Sequence, residues 1–284
     1  MRHLFTTILI ILGTAWGAGA QLVPASGDIP VNDPGLKYGI QTAIEVRKEL
    51  SRDLELNAGV EARFRGDFFY DKQLRFFAGA EYKLAKRISV EGAYTMIRRH
   101  KDGDRTIYRH RIEAGLNETI KISKAFKITF SEKLLWTHRA SKRNKYQTPQ
   151  NDLATKLRVK FTISPNKKWN IFFYNQLRIT FSEPRLGDVY YDPEQMLFTD
   201  ATGSPVGESG WFLDGFSKVK LNRVRNAFGA DFKINRHHKI RLTAIYDLER
   251  ELDIDANRKG TVIKSLVDDR RNMLHGRLEY IFTF

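Results

Sequence analysis

His138 and Ser141 stand three residues apart at the end of an alternating apolar and polar stretch, and a Ser beside a His is the pair that would hydrolyse a lipid ester at a membrane surface. On an extended chain that separation puts the two side chains on opposite faces, so a hydrogen-bonded pair requires a bulge or a loop between them. His275 has no Ser at a matching spacing. Asp253, Asp255 and Asn257 imitate the opening ligands of a calcium loop, but Arg258 stands where Gly is required and the motif fails. With no Cys in 284 residues, neither a disulfide nor a thiolate metal centre can form. These residues predict no metal, no cofactor and no enzyme.

The remaining chemistry lies in charge. Arg47, Arg63, Arg65, Arg75, Arg109, Arg111, Lys156, Arg158, Lys160, Arg178, Arg225, Arg241 and Arg277 recur at every second position of extended stretches, with Glu61, Glu113 and Glu279 among them. A set of Arg and Lys side chains facing one lumen would favour anions. Close pairs such as Glu61 with Arg63, Arg111 with Glu113 and Arg277 with Glu279 would instead form ladders that fill a narrow interior. Both readings need the same scaffold, one that turns alternate residues inward.

That scaffold is written as a period of two. After Asp53, Leu54, Leu56, Ala58, Val60, Ala62 and Phe64 alternate with Glu55, Asn57, Gly59, Glu61, Arg63 and Arg65, one face suited to lipid and the other to water. The pattern recurs over residues 38–48, 74–83, 88–99, 107–117, 126–137, 153–163, 169–181, 224–234, 240–249 and 272–284, which makes eleven strands. Each has about the 9 to 11 residues that a tilted strand needs to cross a membrane. The connections alternate between short turns and longer loops, as in barrels whose short turns face the periplasm. The fold expected is all-β: a transmembrane antiparallel up-and-down barrel over residues 37–284. Because bacterial barrels usually have an even count, about twelve strands are expected. The candidate for the twelfth is residues 21–36, but Pro24, Pro30 and Pro34 each remove a ladder donor, so that segment is either a strand or a passage through the lumen.

The ends of the chain suggest export. Arg2 and His3, the apolar run from Leu4 to Leu12 and the small residues Ala18, Gly19 and Ala20 have the form of a signal peptide over residues 1–20, cleaved near Ala20. At the other end Leu278, Tyr280, Phe282 and Phe284 form one face of a final strand that stops on an aromatic residue. This resembles the C-terminal recognition signal of outer-membrane barrels, and the resemblance implies the barrel assembly machinery as a partner. Tyr38, Phe64, Phe76, Tyr82, Tyr94, Phe126, Trp136, Trp169, Phe181, Phe228, Phe232 and Tyr246 fall where strands would meet headgroups. A net charge of +15 would suggest nucleic acid in a cytoplasmic protein. Export and the spread of the basic residues over every strand argue against that partner. Outer-membrane lipid and small anionic solutes are the ones expected.

The hairpin from Tyr82 through Lys83, Leu84, Ala85, Lys86 and Arg87 to Ile88 and Tyr94, and the one from Asp231 through Asn235, Arg236, His237 and His238 to Ile240, carry a further resemblance. With Glu61-Ala62-Arg63-Phe64 they are similar to the uncharacterised outer-membrane barrels of Bacteroidetes grouped as domain of unknown function 2490. The likeness runs along the whole mature chain and implies a barrel, with no activity attached. The function expected is a small channel or binding barrel for small, anionic solutes. The alternatives are a closed surface-interaction barrel and, further off, a lipid hydrolase.

Overall fold

The computed structural model describes residues 29–66, 71–101, 106–140, 149–188, 190–192, 197–199, 205–206, 211–256 and 263–284. In chain order the strands are β1 (Val31–Asn32), β2 (Leu36–Glu49), β3 (Leu54–Arg65), β4 (Asp71–Lys83), β5 (Ile88–Lys101), β6 (Ile107–Lys121), β7 (Phe126–Arg139) and β8 (Asn151–Ile163). They continue with β9 (Trp169–Asp188), β10 (Tyr190–Asp192), β11 (Leu197–Thr199), β12 (Pro205–Val206), β13 (Trp211–Lys233), β14 (His238–Ala256) and β15 (Ile263–Thr283).

Eleven strands close one barrel in the order β2 to β9, β13, β14, β15, every neighbouring pair antiparallel until β15 meets β2. That seam is parallel, from Asn272 beside Leu36 to Thr283 beside Arg47. No twelfth strand enters the ring among the described residues. Val31 and Asn32 instead pair in parallel with Asp268 and Asp269, on the β15 edge that β2 also uses. β1 is thus the start of the first strand, interrupted at Asp33, Pro34 and Gly35. Pro34 has no N–H to give the ladder, and Gly35 takes the left-handed φ of 74° that a side chain disfavours. Residues 31–36 therefore run in the wall and do not cross the lumen. The expected signal peptide lies outside the described residues.

At one rim the turns are short, and four are closed by one device. Ser51, Ser123, Asn166 and Asn235 each accept two backbone N–H bonds, from residues two and three positions on, at 2.8–3.2 Å. A short side-chain acceptor satisfies donors that the turn would leave without ladder partners. At the opposite rim the strands overshoot the sequence expectation. β9, β13, β14 and β15 run on to Asp188, from Trp211, to Ala256 and from Ile263, so residues expected as loop form tall hairpins. There Ile254 and Ile263 are buried against Leu186, Leu213, Leu252 and Leu266. Arg250 also donates to Asp268 at 2.9 Å, and these hydrogen bonds hold the Asp268 carboxyl below the usual carboxylate range. Between β9 and β13 a small sheet in the order β10, β11, β12 stands apart from the barrel.

The register fixes the faces. Outward side chains include Tyr38, Phe76, Tyr82, Tyr94, Trp136, Trp169 and Phe228, all large and all exposed, which in water would be a severe liability and in a bilayer is the required surface. Inward, the wall is thinned where rings must fit. A Cβ on Gly59 would come within 2.6 Å of the Phe77 ring, and one on Gly229 within 2.6 Å of the Phe172 ring. Glycine under an inward ring lets the sheet curve and keeps the ring against the backbone.

Candidate functional site

All sixteen charged residues expected to face the lumen lie on the inward register of their strands. The structure sorts them into three levels.

Nearest the short turns, Arg47 lies 2.7 Å from Glu45 and 3.3 Å from Glu55, and Arg241 donates to Asp231 at 2.6 and 3.1 Å. Aromatic faces hold two further cations. Lys160 sits 4.1 Å from the Phe172 ring centre, and Arg158 lies 5.7 Å from that of Tyr174 while donating to Ser131.

The middle is packed. Glu61, 5% exposed, is shared by Arg63, Arg75 at 3.7 Å and Arg277 at 3.2 Å. Arg277 also reaches Glu279 at 3.4 Å. Across the lumen Arg225 donates two bonds to Asp247 at 2.6 and 2.7 Å, and His275 Nε2 lies 3.4 Å from the same carboxylate. Around these pairs Leu135, Ile245, Ile281 and Gln41 are fully buried. Charges and apolar side chains together fill the cross-section, as expected of a barrel closer in size to the filled eight-strand class than to the sixteen-strand pores.

Above this layer, toward the long loops, the interior opens into a cavity of about 130 Å³. Nine arginines line it: Arg65, Arg75, Arg99, Arg109, Arg111, Arg139, Arg178, Arg223 and Arg271. Only four carboxylates join them, from Asp152, Glu183, Glu249 and Glu251. Most of the guanidinium groups are held in place. Arg178 is 2.7 Å from Asp152, Arg223 is 2.8 Å from Glu249, Arg99 donates two bonds of 2.9 Å to Asp71, and Arg65 lies 3.6 Å from the same Asp71. Arg111 donates to Thr137 at 3.1 Å and lies 3.8 Å from Glu113, whose other partner is Lys156 at 3.5 Å. Arg109 makes no hydrogen bond or ion pair among the described residues, and its Nε is buried without a partner. A half-buried guanidinium with an unpartnered donor, flanked by others already fixed, is a ready site for a carboxylate or a phosphate.

Three solved structures resemble the chain in part. The NanC porin is 10% identical with a TM-score of 0.40 over 74% of this chain and 85% of its own. The translocator domain of autotransporter NalP from Neisseria meningitidis is 9% identical with a TM-score of 0.39, covering 70% of each chain. The siderophore receptor PirA from Pseudomonas aeruginosa is 11% identical with a TM-score of 0.24, over 80% of this chain and 48% of its own. No family model and no curated sequence matches. The barrel rests on its own closed register, and its site on its own residues.

Several site residues lay beyond the sequence reading. Asp71, Arg139, Asp152, Glu183 and Arg271 fall one to three residues outside the expected strands, next to alternations that were already visible. Glu183, two residues beyond the expected end of its strand, is 5% exposed, accepts from Leu252 N at 3.1 Å and pairs with Lys220 at 3.0 Å. Phe77, Phe172 and Tyr174 face inward, where only polar residues were expected. The His138 ring is engaged with Asn151 at 2.9 Å, whereas Ser141 lies outside the described residues. So do Asn257 and Arg258 of the imitated calcium loop.

Proposed function

We propose that this chain is an outer-membrane barrel that binds small anionic solutes in the arginine-lined cavity at its long-loop rim. The observation that carries the reading is nine guanidinium groups against four carboxylates around one cavity, with Arg109 unpaired among the described residues. Arginine presents planar, doubly donating edges that match carboxylate and phosphate oxygens, and the closely packed wall lowers the competition from water. The filled middle layer favours capture over free conduction.

The outer-membrane placement is supported by the exposed apolar belt and by the leader-like N-terminus. The hairpins beginning at Tyr82 and Asp231 support grouping the chain with the Bacteroidetes barrels it resembles. The last strand supports delivery by the barrel assembly machinery: Tyr280 and Phe282 face outward, and Phe284 is tied to the seam by donating its N–H to Arg47 O at 2.9 Å. Replacing Phe284 with Ser should lower the amount of folded, heat-modifiable barrel in isolated outer membranes several-fold. Unchanged yields would remove the terminal aromatic as the recognition element.

The function is tested by calorimetric titration of the refolded barrel with inorganic phosphate, citrate and, as a neutral control, glucose. Saturable binding of an anion that weakens with salt, and none of glucose, is expected. Should neither anion bind, the second reading takes over: the filled middle layer and tall hairpins would then mark a closed barrel that works through its loops.

A further inference from the structure

On the outer face of β7 the side chains run Phe126, Ile128, Phe130, Glu132, Leu134, Trp136. Glu132 is exposed and makes no hydrogen bond or ion pair among the described residues. It lies six residues from Phe126, roughly 15 Å along the membrane normal for a tilted strand, which is close to the middle of the lipid-facing belt. An ionisable side chain facing lipid at that depth is costly and calls for a partner. Two and three strands away, Asn175 on β9 and Asn226 on β13 also face outward, joined by a bond from Asn175 Nδ2 to Asn226 Oδ1 of 2.8 Å. Asn175 is six residues from Trp169, and Asn226 six from Phe232, its partner in the same ring pair at 4.8 Å. All three polar residues therefore share one depth.

The asparagine bond leaves the Asn226 N–H groups and the Asn175 carbonyl open. A carboxyl group is the complement of that arrangement: a carboxylate accepts from Nδ2, and the acid form can also donate to Oδ1. β8 lies between Glu132 and Asn175, with about 4.8 Å between adjacent strands. A twofold axis along the membrane normal in front of β8 would bring β7 of each copy opposite β9 of the other. We propose that the chain forms a homodimer in the membrane through the outer faces of β7, β8, β9 and β13, with Glu132 of each copy bonded to the Asn175–Asn226 pair of its partner. The paired polar groups would satisfy one another away from lipid, and Leu157 on β8 would face its own counterpart near the axis.

The absence of cysteine makes the test clean. Leu157→Cys should give a disulfide-linked dimer in native membranes, whereas Leu56→Cys, outward on β3 across the barrel, should not. In lipid vesicles, energy transfer between labelled copies should show Glu132→Leu weakening association at least tenfold. Leucine suits lipid, so the variant should fold, and its anion binding should be unchanged, which separates this proposal from the one about the cavity. Equal cross-linking at both faces, or a Glu132→Leu variant that associates like the parent, would overturn it.

Discussion

Replacing Arg109 with Glu is expected to weaken anion binding by about ten- to a hundredfold, the equivalent of one charge-assisted hydrogen bond lost and one repulsion gained. Arg109 is the group to change because the other arginines around the cavity for which pairs have been described are anchored: Arg178 by Asp152, Arg223 by Glu249, and Arg99 by Asp71. Mutating any of those would leave a carboxylate behind and confuse binding with folding. Arg98, opposite Tyr108 on the neighbouring strand, is exposed on the outward face and serves as the control. Arg98→Glu makes the same change in net charge and should leave calorimetric affinity as it was. Equal losses in the two variants would mean that overall charge, and not the cavity, attracts the anion.

Glu61→Ala should destabilise the barrel by about 3–5 kcal/mol, the usual cost of removing one partner from a buried ion cluster. The carboxylate is the shared partner of Arg63, Arg75 and Arg277, and its loss leaves like charges facing one another in a packed layer. Urea unfolding in lipid vesicles reads the first effect. Planar-bilayer recording reads a second: the parent should be nearly silent, and the variant, with its middle layer loosened by repulsion, should show discrete openings. Adding Arg277→Gln to Glu61→Ala should recover part of the stability, since the two residues are in contact and their effects are coupled. A loss below about 1 kcal/mol with no openings would show that water already shields this layer.

Much of this was legible in the sequence because a strand writes its faces as a period of two. Leu54 to Arg65 alternates apolar with polar at every step but Gly59, so both the strand and its inward charges follow directly. The same rule failed where contrast between the faces disappears. Above the lipid belt Arg250, Asp268 and Arg270 occupy the outward positions, and with water on both sides the alternation loses its chemical signature, so the tall β14–β15 hairpin reads as loop. The run Ile171, Phe172, Phe173, Tyr174 hides its inward rings for the opposite reason, since both faces are apolar there. What opens room for one of them is a glycine on the facing strand, Gly229, a pairing that no local window contains. The parallel seam is less local still. It joins the two ends of the barrel, and only the odd strand count hints at it. The cavity was half visible: Arg65, Arg75, Arg109, Arg111 and Arg178 were expected on the inward face, but two of the acids that anchor its arginines, Asp71 and Asp152, lie just outside the expected strands.

The parallel seam also gives the molecule a polarity. An odd number of crossings leaves Ile29 at the long-loop rim and Phe284 at the short-turn rim, on opposite sides of the bilayer. A peptide tag placed ahead of residue 29 and a second one placed behind Phe284 would be presented to different compartments. A protease or biotinylating reagent added to intact cells would then reach one and spare the other, so a single chain would report its own direction of insertion.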